Sequence, residues 1–240
     1  MIQSLAQRGA HIIALSPYPI NSSKVDILIN LLRSTTQNQQ IFAEECDLSS
    51  PNSVRSFCSR FSTGKDKRLD AIVFTHEYQH IGSIFGTHHL EDEQDRRSAC
   101  LATFLIITLL LPVILVAPVE RDIRIINVVN PFYAAATTSF SSSFSTSSPS
   151  SIFLQEGQRS LRMVVLIRHL QRVLDALPSA QIPQTNDSTS TVRVVSESSQ
   201  RSNIVAVSVS PGISRSGTIA PLLHADRSSA HNCSVLGLTL

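Results

Sequence analysis

Two hydrophobic periods alternate along this chain. Short β-branched runs at 11–15 (HIIAL), 41–45 (IFAEE), 70–75 (DAIVFT), 124–129 (RIINVV) and 203–209 (NIVAVSV) have the length and composition of strands. Between them lie stretches with helical spacing. Val54, Phe57, Cys58 and Phe61 recur at i, i+3, i+4 and i+7 behind a Ser50-Pro51 start signal, and Met163, Ile167, Leu170 and Leu174 form a later stripe. Strands that alternate with helices pair in parallel, because each crossover must pass over a face of the sheet. The pattern therefore predicts an α/β protein with a doubly wound parallel sheet.

Two segments interrupt the rhythm. Nine of the thirteen residues from Ser139 to Ser151 are serine, a composition that cannot bury enough apolar area to offset its ordering entropy, so a mobile loop is expected there. The stretch from Pro183 to Ser202 is also polar, and the strand pattern resumes directly after it. Both read as surface insertions, at 137–152 and 180–202, in a single domain spanning 1–240.

The longest apolar run, Ala99–Val119, carries no charge and reaches the length of a membrane span. Pro112 and Pro118 predict a helix ending near Leu111 and then a second piece. Hydropathy does not separate a helix buried in a large core from a spanning one, and the buried helix is the preferred reading.

Composition narrows the function classes. Only 16% of residues are charged and 42% are hydrophobic, which leaves room for a membrane surface or a partner to cover part of the chain. A net charge of +2 with no basic stripe speaks against nucleic acid. Cys46, Cys58, Cys100 and Cys233 are scattered, without C-x-x-C spacing, as in a reduced, cytosol-facing protein. The amino terminus lacks the charged and apolar regions of a secretory signal.

The order and wording of six segments resemble the short-chain dehydrogenase/reductases, and within them the retinol-dehydrogenase-like group. LAQRGAHIIAL matches the end of the first helix and the second strand, CDLSSPNSVRSF the third strand and its helix, and LATFLIITLLLP the long central helix. RIINVVN, RSLRMVVLIRHLQRVL and IVAVSVSPGISRS match the fifth strand, the helix after the catalytic tyrosine, and the sixth strand with its Pro-Gly turn. The resemblance runs from Leu5 to about Leu223. It implies a Rossmann-type sheet that binds NAD or NADP and transfers hydride to or from a carbonyl or alcohol.

That chemistry uses a tyrosine to pass the proton, a lysine four residues later, a serine and an asparagine. The resemblance places Glu156 at the tyrosine, Ser160 at the lysine, Asn130 at the serine and Ala99 at the asparagine. A carboxylate, ordinarily ionised at neutral pH, has no proton to give, and no cation stands in register with Glu156. The chain's tyrosines, Tyr18, Tyr78 and Tyr133, are followed four positions on by Ser22, Gly82 and Thr137, so the motif does not occur in another register. Catalysis by the family mechanism is not expected.

On the cofactor side, the resemblance begins inside the first helix. The family's first strand and its glycine-rich phosphate turn are expected to be missing from the chain, leaving the domain incomplete and its sheet either open at the centre or filled by another segment. The later Asn-Asn-Ala-Gly turn is replaced by Phe74, Thr75, His76 and Glu77. Asp47 would meet the adenine, and Pro211, Gly212 and Ser216 would flank the nicotinamide. Each has an ordinary alternative, Asp47 as a helix cap and Pro211-Gly212 as a turn. The resemblance also implies a lipid-like small-molecule substrate, a homodimer, and a location on the cytosolic face of the endoplasmic reticulum or on lipid droplets, with a cytoplasmic location as the alternative. A binding or scaffold module at a membrane is the alternative function.

One catalytic string is intact. HEYQH at 76–80 has H-E-x-x-H spacing, in which two histidines one helical turn apart bind zinc and the glutamate activates water. It follows a strand directly and runs into Gly82 and Gly86, so a polar loop is preferred to a zinc hydrolase built on His76, Glu77 and His80. No metal ligand is assigned.

Overall fold

The computed structural model describes residues 1–64, 68–79, 90–118, 120–137, 152–177, 203–213, 219 and 238–239. The expected insertions at 137–152 and 180–202 lie almost wholly outside these residues, as do His80, Ser216 and Cys233.

All five expected strands form: β1 (Ile12–Ser16), β2 (Ile41–Glu45), β3 (Ala71–Phe74), β4 (Ile123–Val128) and β5 (Ile204–Val209). They pair in parallel in two groups. Ile12 to Ser16 lie against Ile41 to Glu45, β3 pairs with β4 from Ala71↔Arg124 to Phe74↔Asn127, and β4 pairs with β5 from Ile123↔Ile204 to Val128↔Val209. Between the groups sits a two-residue strand, β6 (Leu238–Thr239), antiparallel to both neighbours, giving the order β2-β1-β6-β3-β4-β5. The expected central gap is thus filled from the carboxyl-terminal end. The sheet is not purely parallel, because a segment arriving from that side meets Ala14, Val73 and Phe74 in the opposite sense.

Helices cover both faces. α1 (Ile2–Ala6) and α2 (Ser23–Thr36) pack Ala6, Val25 and Ile29 on Ile12 and Ile41. Asn38 ties this side together: its amide donates to Ala6 O and Ala10 O, both at 2.9 Å, and its Oδ1 accepts from Gln40 N at 2.8 Å. On the other face α3 (Pro51–Thr63), α5 (Leu90–Leu115) and α6 (Ile152–Ala176) share one cluster with Ile72, Phe74, Ile123, Ile125, Ile204 and Ala206. The Ser50 hydroxyl accepts from Ser53 N and Pro51 takes the first helical position, as the start signal predicts.

Two expectations fail locally. α5 does not stop near Leu111 but continues through Pro112 to Leu115. A proline so close to a helix end costs a single ladder bond, and Leu110 and Ile114, both fully buried, hold the last turn in the core. HEYQ is not a loop either: His76–Gln79 form one helical turn, α4. The preferred buried reading of the apolar run holds for one face only. Arg97–Leu115 is long and apolar enough to cross a membrane, and 33% of it is buried.

Cys46, Cys58 and Cys100 are free thiols. Burial pushes Cys46 up to about 12 and Cys58 up to about 11, so neither is a nucleophile near neutral pH.

Candidate functional site

In an open α/β sheet, ligands bind beyond the carboxyl ends of the strands. At that edge the chain gathers polar side chains from four elements. β4 delivers Asn127, fully buried, in the same row as Phe74 of β3 and Ser208 of β5. Two residues beyond β4, Asn130 caps a 3₁₀ helix (Pro131–Ala136), its Oδ1 accepting from Phe132 N at 3.0 Å.

This 3₁₀ helix packs on the first turns of α6. The Phe132 and Phe153 rings meet edge to face with centroids 5.2 Å apart, and Gly157 lies directly against the Phe132 carbonyl. A β-carbon at 157 would run into that oxygen and crowd Ala136. Gly157→Ala should therefore destabilise the fold by about 1–3 kcal/mol, read from the urea midpoint, although alanine is the better helix former.

Glu156 and Ser160 follow on the inner face of α6, 1% and 0% exposed. Glu156 Oε2 receives Arg159 Nη1 at 3.0 Å, with the arginine side chain only 12% exposed. The expectation that no cation stands in register with Glu156 is therefore wrong. An i, i+3 spacing puts Arg159 on the adjoining ridge of the helix, one residue short of the position at which the cation was sought. A guanidinium stays protonated in a protein, so a permanent cation stands beside the Glu156 carboxyl group.

Ala99 is half-buried on α5, and its carbonyl accepts from Thr103 Oγ1 at 3.3 Å. The polar group that α5 brings to the edge is Thr103 itself, one turn on. Its hydroxyl lies 3.0 Å from His76 Nε2, both side chains are buried, and the His76 ring stands edge-on to Phe74. The first histidine of the H-E-x-x-H string thus points into the core edge with one nitrogen engaged, not onto an open metal-binding face. From α4, Tyr78 donates its hydroxyl to Gly212 O at 3.4 Å and pins the turn after β5, where Gly212 adopts φ 86°. Among the described residues, both Asn127 side-chain atoms, Asn130 Nδ2, Ser160 Oγ and Ser208 Oγ are buried without a hydrogen-bond partner. Such groups cost about 1–3 kcal/mol each and mark a polar site, not a core.

No family model matches the sequence. An uncharacterized oxidoreductase of Schizosaccharomyces pombe, pbr1, is 30% identical over 129 residues, covering 52% of this chain and 34% of the relative. The chain thus spans about a third of the length of this curated relative. Among solved structures, the bulky-bulky ketone specific alcohol dehydrogenase of Comamonas testosteroni superposes with a TM-score of 0.54 at 11% identity, over 89% of this chain and 66% of that one. A metagenomic short-chain oxidoreductase in complex with NADP gives 0.52 at 13% identity, over 90% and 75%. The NADPH complex of a short-chain dehydrogenase from Sphingobium yanoikuyae gives 0.51 at 15% identity, over 72% and 59%.

The chain has the short-chain dehydrogenase/reductase fold.

Within this reductase fold, Asn130 opens the 3₁₀ helix that packs on α6, Glu156 and Ser160 lie on the inner face of α6, and Pro211 and Gly212 follow β5. Asp47 follows β2, but its Oδ1 accepts from Ser49 N at 2.9 Å and Ser49 Oγ at 2.7 Å, a local turn, and Ser50 rather than Asp47 caps α3. A dinucleotide needs more than this. Its pyrophosphate sits on backbone N–H groups where a parallel strand turns into a helix. The central slot here holds an antiparallel strand, and among the described residues no helix starts from it. The described residues therefore offer an adenine-side carboxylate with one oxygen engaged by Ser49 and no pyrophosphate seat, so they do not fit the cofactor.

Proposed function

We propose that this chain is a non-catalytic relative of NAD(P)-dependent short-chain oxidoreductases, keeping their sheet and helices without their proton-transfer machinery. The observation that carries this reading is the buried Glu156–Arg159 pair at 3.0 Å, beside Ser160, at the place where the resemblance puts tyrosine and lysine. A carboxylate locked to a guanidinium has no proton positioned for a carbonyl oxygen, and the serine hydroxyl carries no charge to activate one.

The cofactor class that the resemblance implies is NAD or NADP, and the lack of a pyrophosphate seat among the described residues predicts weak affinity for either. Titrating the purified chain with NADPH, followed by nucleotide fluorescence, should show no saturable binding below about millimolar concentration, the affinity level at which only about 4 kcal/mol of binding energy remains. Saturation in the micromolar range would show that another set of backbone donors receives the phosphates.

A further inference from the structure

The sheet is guarded at both rims and only briefly filled in the middle. On β2, the outer strand at one rim, the Arg33 guanidinium donates to Ile41 O at 2.6 and 2.9 Å, and Arg60 Nη2 donates to Glu45 O at 3.2 Å. On β5, at the other rim, Ala206 N donates to Gln171 Oε1 at 2.6 Å. Side chains thus engage backbone groups that a strand arriving at either rim would need.

Between β1 and β3 the flanks are longer than the strand they hold. β1 offers five residues and β3 four, whereas the ladder joins β6 only to Ala14, Val73 and Phe74. Ile12, Leu15 and Ser16 on one flank and Ile72 on the other are buried, so water is a poor partner for the backbone along the rest of the slot.

The register defines a guest that would use the whole slot. In the antiparallel sense of β6, five residues would lie opposite Ser16 to Ile12 and opposite Thr75 to Ala71. Paired residues share a face of the sheet. The second guest side chain would therefore join Leu15 and Phe74 in the larger core cluster, the fourth would join Ile72, and the third would stand beside Ala14 and Val73. All five neighbours are apolar and buried, so a charge at these guest positions would be stranded.

We propose that this slot is a strand-acceptor site for an extended, uncharged apolar peptide, which displaces β6 and pairs with β1 and β3 together. Main-chain bonds on both sides supply the affinity, and alternate side chains buried on opposite faces supply the selectivity. Neither Glu156 nor a nucleotide takes part.

A fluorescein-labelled peptide with the core Thr-Leu-Val-Leu-Val between terminal lysines, added to the full chain, should give a saturable rise in anisotropy below about 100 μM. Proline at the central core position removes a ladder donor and should weaken binding by roughly tenfold or more. Aspartate at the second core position should abolish it. Thr239→Pro takes a donor from β6 opposite Val73 and should tighten peptide binding roughly fivefold, because guest and β6 compete for one place. Its circular dichroism should match that of the parent. On peptide binding, amide exchange should slow in β1 and β3 and stay unchanged in β5. Absence of saturable binding, equal binding of the proline peptide, unchanged or weaker affinity in Thr239→Pro, or slowing confined to β5 would overturn the proposal. So would a dimer of the free chain that the peptide disperses, because the slot would then belong to a second copy.

Discussion

Replacing Arg159 with methionine should destabilise the fold by about 3–5 kcal/mol, because it leaves the fully buried Glu156 carboxylate without its guanidinium partner. Removing Glu156 alone, as Glu156→Leu, should cost a similar amount by stranding the arginine. The double replacement Glu156→Leu with Arg159→Met should recover most of the loss, to within about 1 kcal/mol of the parent or above it, because two well-packed apolar side chains need no mutual compensation. Urea unfolding of the four proteins gives the coupling energy directly. Additive effects would mean that the pair at 3.0 Å contributes nothing as a pair, and that Glu156 is held by other contacts.

A second large effect is expected on α5, where neighbouring leucines face opposite ways. Leu110 is fully buried and Leu109 is 36% exposed. Leu110→Ala should cost about 2–5 kcal/mol, the transfer and cavity terms of a core leucine, whereas Leu109→Ala should stay within about 0.5–1 kcal/mol. Paired thermal melts would show the contrast. It distinguishes a helix packed by one face on a sheet from one immersed in a uniform apolar medium, where the two leucines would be equivalent.

How much of this was legible in the chain differs from element to element. The five strands carried their own signal, because β-branched runs of four to six residues bounded by polar residues have few alternatives. α2 carries a signal of the same kind: Val25, Ile29 and Leu32 stand at i, i+4 and i+7 behind Ser22, and the first two are buried. The one-sidedness of α5 was not readable, since leucine and isoleucine occupy both its faces and periodicity vanishes when the outer face is as apolar as the inner one. β6 could not be foreseen either. Two residues have no period, and the sense of their pairing is set by the direction from which the chain returns to the slot.

At the site, proximity along the helix was legible and proximity across the fold was not. Glu156 and Arg159 stand at i, i+3, a spacing readable from the sequence, but the cation was sought four residues on, where Ser160 stands. The Thr103–His76 contact joins residues 27 positions apart on α5 and α4, and nothing local announces it. Thr103 stands four positions after Ala99 and on the same helix face, a spacing the sequence contains but does not single out, since Thr108 lies in the same uncharged run. The H-E-x-x-H string shows the opposite error: a spacing that suggests zinc chemistry, in which the first histidine is bonded to a threonine within the protein.

The central claim, a reductase fold without the reductase's proton transfer, is tested most directly by following NADPH oxidation at 340 nm (roughly the reduced-nicotinamide absorbance band) with a panel of aldehydes, ketones and retinoids. No rate above the uncatalysed background is expected. General acid-base catalysis supplies around two to four powers of ten and positioning more; on the proposed reading Glu156 and Ser160 withdraw the first, and the second lacks a pyrophosphate seat among the described residues. Restoring Glu156→Tyr with Ser160→Lys should leave the rate at background. Turnover that disappears in Glu156→Ala, with the folded state retained, would contradict the claim and show that the carboxyl group has taken over the proton transfer.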